Sequence, residues 1–442
     1  MDTLESMRRI IVIGMWCLLI MVLMTSCTGE NDNAVSNSSI NTVDSSNKEA
    51  SEPDQKDDCF ESSSYIYEDS AVAQYLEDYD QFWDEIETNY PFYTMLDDLG
   101  IDVQGIKDTY RENVYKVEGP EGLMVILNQV CRQLGGYAHL SVVDKHTFLV
   151  YKDAYEARKD LYNPWYEVLS DDKTLKLYGM EDVESESTVD EDTVQTENSK
   201  YAFVRSRVID DDIVYIHFGS FEHFTVDADR NVMKDYLGKY KDYSNIIIDI
   251  SDNPGGDDTY WMENIVAPFG GKYDYSEQYY FADSPLFWNF FSKGNDAEII
   301  HLTPKEQEDI KSKTGIDNIS IKQEYKQVCD FTDSVERSLN TEAKRWLLVG
   351  DITYSSADSF ASFCKKTGWA TVVGTRTGGC GSLPPVFVRL DNTGVCFKYT
   401  NAVKIEEDGR VNNIYGTMPD IISKKNEKPL DTVLRVLKSE DQ

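Results

Sequence analysis

Ser355 lies in the run Leu347-Leu348-Val349-Gly350-Asp351-Ile352-Thr353-Tyr354-Ser355-Ser356-Ala357-Asp358-Ser359-Phe360-Ala361, where an apolar strand breaks into a tight turn and a helix is predicted over about 357–366. A hydroxyl on such a turn stands at the top of a sheet, beside helix N-terminal N–H groups able to hold an oxyanion. Read alone, Ser355 or Ser356 serves equally well as a helix N-cap. A second run, Ile248-Asp249-Ile250-Ser251-Asp252-Asn253-Pro254-Gly255-Gly256, ends a strand in a Pro-Gly-Gly turn. Its missing side chains let backbone N–H groups approach a ligand, although most such glycines simply make turns. A third run, Leu134-Gly135-Gly136-Tyr137-Ala138-His139-Leu140-Ser141, sets an imidazole just after a glycine turn. The chain has five histidines, His139, His146, His217, His223 and His301. A lone histidine is commonly structural, yet a serine nucleophile needs a base and imidazole is the usual one.

The elements that must position these residues fall into two parts. Leu76, Tyr79, Trp83 and Ile86 recur at helical spacing until Pro91 stops the pattern. A second helix is predicted around 106–115. Leu123, Ile126, Leu127, Val130 and Leu134 form one apolar face that Gly135-Gly136 ends. These predict a small helical domain over 71–145, with His139 at its end. Residues 146–200 form a connecting segment that includes an acidic Ser/Thr-rich linker at 181–198. Beyond it, short apolar runs at 213–218, 246–250, 346–349 and 371–373 alternate with helical stretches. This is the pattern of an α/β sheet with strands buried on both faces. The core is expected over 201–435, with an elaboration beside the site at about 273–344, where polar and aromatic residues carry mixed helical signals.

The chain has 442 residues, 41% hydrophobic and 12% aromatic, enough for two folded units plus tails. Its formal net charge of −36 repels phosphate backbones and argues against a nucleic-acid partner; it also suits an acidic, soluble surface outside the cell. Arg8 and Arg9 precede an apolar run over 10–24, and Thr25-Ser26-Cys27 follows. This is the pattern of a secretory signal, too short for a settled membrane span. Cys27 stands as in a bacterial lipobox, which predicts cleavage before it, lipidation of Cys27 and an exported protein anchored to the outside of a membrane. A plain signal peptide or an uncleaved anchor, with an incidental cysteine, is the alternative. Residues 28–70, rich in Ser, Asn, Asp and Glu, read as a disordered tether. Cys59, Cys131, Cys329, Cys364, Cys380 and Cys396 show no zinc spacing, so no metal site is expected; disulfides between them are open.

The order of the three runs, with Val372-Val373-Gly374-Thr375-Arg376-Thr377-Gly378-Gly379 and Gly416-Thr417-Met418-Pro419-Asp420-Ile421, resembles the S41 peptidase family. That family includes the C-terminal processing (tail-specific) proteases and the tricorn-type peptidases, and the resemblance extends from about Tyr75 to the C-terminus. It implies an α/β fold with a crotonase-like ββα core, preceded by a small helical domain. It also implies serine-type hydrolysis of peptide or unfolded-protein substrates without metal or cofactor. Carried over by position, the nucleophile falls on Ser355, and an acidic residue three places on falls on Asp358. The oxyanion hole is implied at Gly255 or Gly256 together with Ser356. Processing proteases use a Ser–Lys dyad, but Gly374-Thr375-Arg376-Thr377-Gly378-Gly379-Cys380 has Cys380 where that lysine would stand. The remaining match is to tricorn-type members, whose base is an early histidine, here His139. Those sites carry a serine before the histidine, where this chain has Ala138. They also carry a glutamate shortly before Gly-x-x-Pro-Asp, where this chain has Asn413. An asparagine orients an imidazole but stabilises its cation less than a carboxylate does; Asp408 and Asp420 are fallback partners. The interval 142–200 is too short for an intact PDZ module, and none is expected. Two rivals share the scaffold: an inactive peptidase-fold lipoprotein that binds peptides or partner proteins, and an acyl-transfer or esterase enzyme.

Overall fold

The parallel pairing of two apolar runs sets the architecture. β4 (Asn245–Asp249) and β8 (Lys344–Val349) lie side by side, with Ile248 opposite Leu347 and Asp249 opposite Leu348. The structure, a computed structural model, describes residues 70–156, 163–180, 204–292, 297–332, 342–381 and 383–440. Cys27 and the signal region, the tether up to residue 69, Cys59 and the acidic run 181–198 lie outside the described residues.

Around this pair runs a six-stranded sheet in the order β13 (Ile421–Ile422), β9 (Thr371–Gly374), β8, β4, β3 (Ile213–Phe218), β2 (Val204–Asp210). All its pairs are parallel except β2 with β3. Alternate residues of the central strands feed opposite cores, which is why those runs are apolar without a break. Ile246, Ile248, Leu347 and Val349 pack on one face, with Phe360, Phe363 and Trp261. Ile247, Trp346 and Leu348 pack on the other face, with Val433. Two helices supply those contacts: α9 (Ser356–Thr367) on the first face and α10 (Pro429–Glu440) on the second. The protein is thus a mixed α/β fold with a central sheet.

The N-terminal helices are α1 (Ser70–Asn89), α2 (Val103–Val114) and α3 (Pro120–Gln133), near their predicted positions. Their apolar stripe packs beyond its own segment. Tyr79, Phe82, Trp83 and Ile86 join one core with Val386, Phe397, Tyr399 and Phe281. The link is a three-stranded antiparallel sheet, β1 (Ser141–Val142), β11 (Cys396–Tyr399), β10 (Val386–Arg389), laid against α1, with Phe82 and Phe397 rings 4.8 Å apart. A buried carboxyl fastens this contact: Asp78 accepts from the backbone N–H of Asn392 at 2.9 Å, and from both the N–H and the hydroxyl of Thr393.

Two regions differ from the sequence reading. The segment after His139 is more helical than a linker, with α4 (Lys145–Glu156), α5 (Asn163–Leu169) and α6 (Asp172–Leu177). The stretch at 273–344 is chiefly strand: β5 (Lys272–Phe281) pairs along its length with β7 (Ile321–Asp330), flanked by β12 (Val403–Lys404) and β6 (Glu298–His301). Only α7 (Val226–Lys239), after β3, and α8 (Pro304–Thr314), between β6 and β7, complete the long helices of this half. The Tyr-rich alternation of β5 is a strand signal. Its polar residues obscured it: Glu277 is buried because it meets Lys366 and Lys404 across the interface with α9. The five described cysteines, Cys131, Cys329, Cys364, Cys380 and Cys396, are buried and free.

Asp78 ties α1 to the β10–β11 turn, and removing it strands two buried N–H groups. Asp78→Ala is expected to lower the unfolding free energy by about 2–4 kcal/mol, read as a lower urea midpoint at unchanged slope. A change under about 0.5 kcal/mol would mean that the helices and the hairpin are not fastened through this residue.

Candidate active site

The site lies where open parallel sheets bind ligands, past the carboxyl ends of neighbouring strands. Because β4 and β8 pair in register, the Pro-Gly-Gly turn that leaves β4 and the turn that leaves β8 are forced together. Thr353 Oγ accepts from the Gly350 N–H and donates to the Ile250 carbonyl, and the Tyr354 N–H donates to the Asn253 carbonyl. Gly255 fits directly beneath the serine turn. A Cβ there would lie 2.6 Å from the Tyr354 carbonyl oxygen and 2.9 Å from Ser355 Cβ, and its φ of +107° also favours glycine.

Ser355 has φ 54° and ψ −121°, left-handed backbone that a non-glycine residue holds only when its surroundings dictate it. Its N–H is tied to the Gly379 carbonyl at 2.8 Å, and α9 begins with the next residue. Among the non-glycine residues at positive φ, Ala138, His139, Ser355 and Cys380 all belong to this site, leaving only Asn426 elsewhere in the described residues. Strain gathered in this way marks functional backbone.

The structure brings His139 to Ser355: Nε2 stands 3.3 Å from Oγ across 216 positions of chain. The histidine sits in the short turn Tyr137–His139, held by a bond from the Thr400 N–H to the Ala138 carbonyl and another from the Tyr90 hydroxyl to the Tyr137 carbonyl. Tyr354 packs edge-on against the ring, and its hydroxyl accepts from the His139 N–H at 3.3 Å. The other ring nitrogen, Nδ1, meets Thr400 Oγ at 2.8 Å and Cys380 Sγ at 3.0 Å. Burial, and after it the Lys398 ammonium, hold the imidazole well below its ordinary value, so the ring is neutral and able to accept a proton at pH 7. Burial pushes the Cys380 thiol up to about 11, leaving it protonated and no rival nucleophile.

The orienting group differs from the residues weighed in the sequence. Asn413 does not touch the ring. Its amide donates to the Ala402 carbonyl and toward Cys380 Sγ, and its oxygen accepts from the Lys404 N–H. Asp408 pairs with Arg410 at the surface, and Asp420 accepts from Lys365 and the Val372 N–H. Asp358 is buried beneath the serine turn, accepting from Thr377, the Gly381 N–H, Asn412 and the Thr417 N–H. It braces the loops that carry Cys380 and Asn413 rather than touching His139. Thr400 takes the orienting position, which nothing in the sequence marked; a threonine ending a short strand has no motif of its own.

The two glycine amides are not equivalent. The Gly255 N–H donates to Asn253 Oδ1 at 2.8 Å. Among the described residues the N–H groups of Gly256 and Ser356 make no hydrogen bond within the chain. These two N–H groups are left free to donate to a ligand. Beneath Ser356, its hydroxyl and the Trp261 indole both donate to the buried Asp258 side chain, whose carboxyl burial raises to about 7. Among the described residues no group of three or more His, Cys, Asp or Glu side chains is placed to hold a metal ion.

Gly255→Ala is expected to leave a folded protein whose Ser355 no longer reacts with a fluorophosphonate probe, because the added methyl pushes on the serine turn. Unchanged labelling at an unchanged melting temperature would contradict the close packing described above.

Comparison with known proteins follows the same lines. No curated protein matches the chain. Among solved structures, similarity extends to a Parabacteroides merdae protein assigned as a peptidase, 16% identical, with 83% of this chain and 96% of that one covered at a TM-score of 0.47. A lipoprotein from Streptococcus agalactiae is 15% identical over 83% of this chain and 96% of that one, with a TM-score of 0.42. The photosystem II D1 C-terminal processing protease is 19% identical over 51% and 46%, with a TM-score of 0.32. The family model "Peptidase family S41" matches residues 212–423, a span that holds both the glycine turn and Ser355. Over residues 212–423 the chain matches peptidase family S41.

Proposed function

We propose that the chain is a serine-type peptidase that hydrolyses peptide bonds, with Ser355 as nucleophile and His139 as general base. The observation that carries the reading is the approach of His139 Nε2 to Ser355 Oγ beside two unengaged N–H groups. The match of the core to peptidase family S41 supplies the substrate class, a peptide or protein.

The steps follow from these contacts. With Nδ1–H donating to Thr400 Oγ, the lone pair of Nε2 faces the serine. It takes the Oγ proton as Oγ bonds to the carbonyl carbon. The oxygen of the tetrahedral adduct accepts from the Gly256 and Ser356 N–H groups. The imidazolium returns its proton to the amine nitrogen, which leaves. Water then attacks the Ser355 ester, with the same base taking its proton. The arrangement is that of a tricorn-like branch without the Ser–Lys dyad, with a threonine hydroxyl in the orienting place.

The reading extends to the whole chain. Residues 1–27 act as a lipoprotein signal with Cys27 lipidated, 28–70 as a tether, 71–145 as a helical unit and 201–435 as the peptidase core. This puts the site outside a bacterial membrane. Among the described residues no helix is long and apolar enough to cross a membrane, which leaves the anchor to the N-terminus.

One observation favours an inactive, peptide-binding relative instead: the hydrogen bonds at Nδ1 come from a hydroxyl and a thiol, not from a carboxylate that would stabilise the imidazolium. Fluorophosphonate labelling separates the readings. The enzyme is expected to label at one serine; Ser355→Ala abolishes labelling, and His139→Ala slows it by roughly 10²–10⁴-fold. Absence of labelling at every pH would select the binder.

The base must be neutral to act, and its affinity for protons is depressed. The acidic limb of the labelling profile is therefore expected well below pH 6.5, with rates at pH 6.5 close to those at pH 7.5. A limb centred at or above pH 6.5 would contradict the burial described for His139.

A further inference from the structure

β11 carries a cation that the chemistry above does not use. Strand alternation sends Phe397 and Tyr399 toward α1, where they meet Phe82 and Glu85. Lys398 therefore points to the other side, as does Thr400 two positions on, where His139 stands. Lys398 is 4% exposed, between cross-strand neighbours Ser141 and Phe387, with its ammonium 5.8 Å from the centre of the Tyr151 ring. Among the described residues this ammonium makes no hydrogen bond and no ion pair. The titratable groups around it act on its charge only from a distance, and none is bonded to it. His139 and Cys380 come from the serine side, one neutral and one a protonated thiol. Asp144, just before α4, is engaged by the N–H and hydroxyl of Thr147 and supports the Lys398 charge from a distance, without a bond to it. Tyr151, also on α4, is a phenol kept protonated by burial, with the carboxyl of Glu222 acting on it from the loop after β3. Burial raises that carboxyl to about 7, so its negative charge is incomplete at neutral pH.

A buried ammonium without a partner costs several kcal/mol, and a chain keeps one where a ligand completes it. Burial lowers Lys398 to about 8, so at pH 7 it is still mainly charged and in search of an anion. We infer that Lys398 receives a carboxylate of the bound peptide, setting substrate choice from the side of β11 on which His139 stands. The Tyr151 hydroxyl, which makes no hydrogen bond among the described residues, offers a second donor to the same group. The carboxylate comes either from the C-terminus of the peptide or from an aspartate or glutamate side chain. Docking also acts on the chemistry. Lys398 depresses the basicity of His139, and neutralising it makes the imidazole a stronger base when a fitting substrate is present. The inference rests on the peptidase reading for its ligand class, but its test does not need turnover.

Binding to full-length Ser355→Ala protein is measured by calorimetry with matched short peptides: free acid against C-terminal amide, and amidated peptides with Asp against Asn at each position. At least one carboxylate-bearing peptide is expected to bind roughly ten- to a hundredfold tighter than its uncharged match. That preference should vanish in Lys398→Met, survive in Lys398→Arg and fade above about pH 8, as the ammonium loses its proton. The acid–amide pair reports the terminal source, and the Asp–Asn pairs report the side-chain source. In the otherwise native protein, Lys398→Met should also move the acidic limb of Ser355 labelling to higher pH, while Lys398→Arg, which keeps the charge, leaves the limb in place. Equal affinities in every pair, a preference that persists in Lys398→Met, or no peptide binding at all would overturn the assignment. Failure of Ser355 to label in the native protein would instead overturn the peptidase reading and leave this one standing.

Discussion

The parallel ladder between β4 and β8 is the constraint on which the rest depends. Two strands separated by about a hundred residues of chain pair so that both end at the same level, with Asp249 opposite Leu348. Everything past that level follows from close packing. The glycine turn leaving β4 lies under the serine turn leaving β8, near enough that only hydrogen fits between Gly255 and the Tyr354 carbonyl. A side chain on Gly255 would part the two turns, and one on Gly256 would strike the Phe221 carbonyl on the other side. The pairing is held from both faces by apolar cores, which act on the strands and leave the turns to be fixed by hydrogen bonds such as those of Thr353.

The imidazole arrives by a different route. His139 belongs to no strand of the central sheet; it is delivered by a turn clasped between α1–α3 and the small sheet of β1, β11 and β10. The Thr400 residue that sets the height of this turn through its N–H also bonds the ring through its hydroxyl. One residue thus fixes both where the imidazole is and which nitrogen faces the serine. Four non-glycine residues held in left-handed backbone converge here. Such conformations cost of order 1–3 kcal/mol each and persist only because the cores on both sides leave the turns nowhere else to go.

Buried charge divides into two kinds. Behind α9, Lys404 meets Glu277, the Ser362 hydroxyl and the Gly381 carbonyl, and Lys366 meets the same glutamate. Burial opposes the charge on Glu277, and the two lysines outweigh it, holding its carboxyl below the ordinary value. That cluster is complete and braces the helix that starts just after Ser355. Lys398 is the opposite case, a cation beside the Tyr151 ring with no anion bonded to it among the described residues.

The chain's own order of residues carried the local facts. Continuous apolar runs marked the central strands because both faces of those strands are covered. Glycine pairs marked turns because nothing else tolerates their backbone, and the Gly-Gly before His139 announced a special turn. Membership in an α/β peptidase fold was legible from four such runs in sequence. The β5–β7 sheet was not, since its Glu277 and lysine partners read as solvated until an opposite charge is placed beside them. Nor was the partner of the histidine: Asn413, chosen by position along the chain, faces the Ala402 carbonyl and Cys380, while Thr400 meets the ring. Sequence fixes which groups exist and what backbone they prefer, because those preferences are local. Which hydroxyl touches which nitrogen, and which lysine is left without an anion, depends on how separate elements pack, and only the tertiary structure decides that.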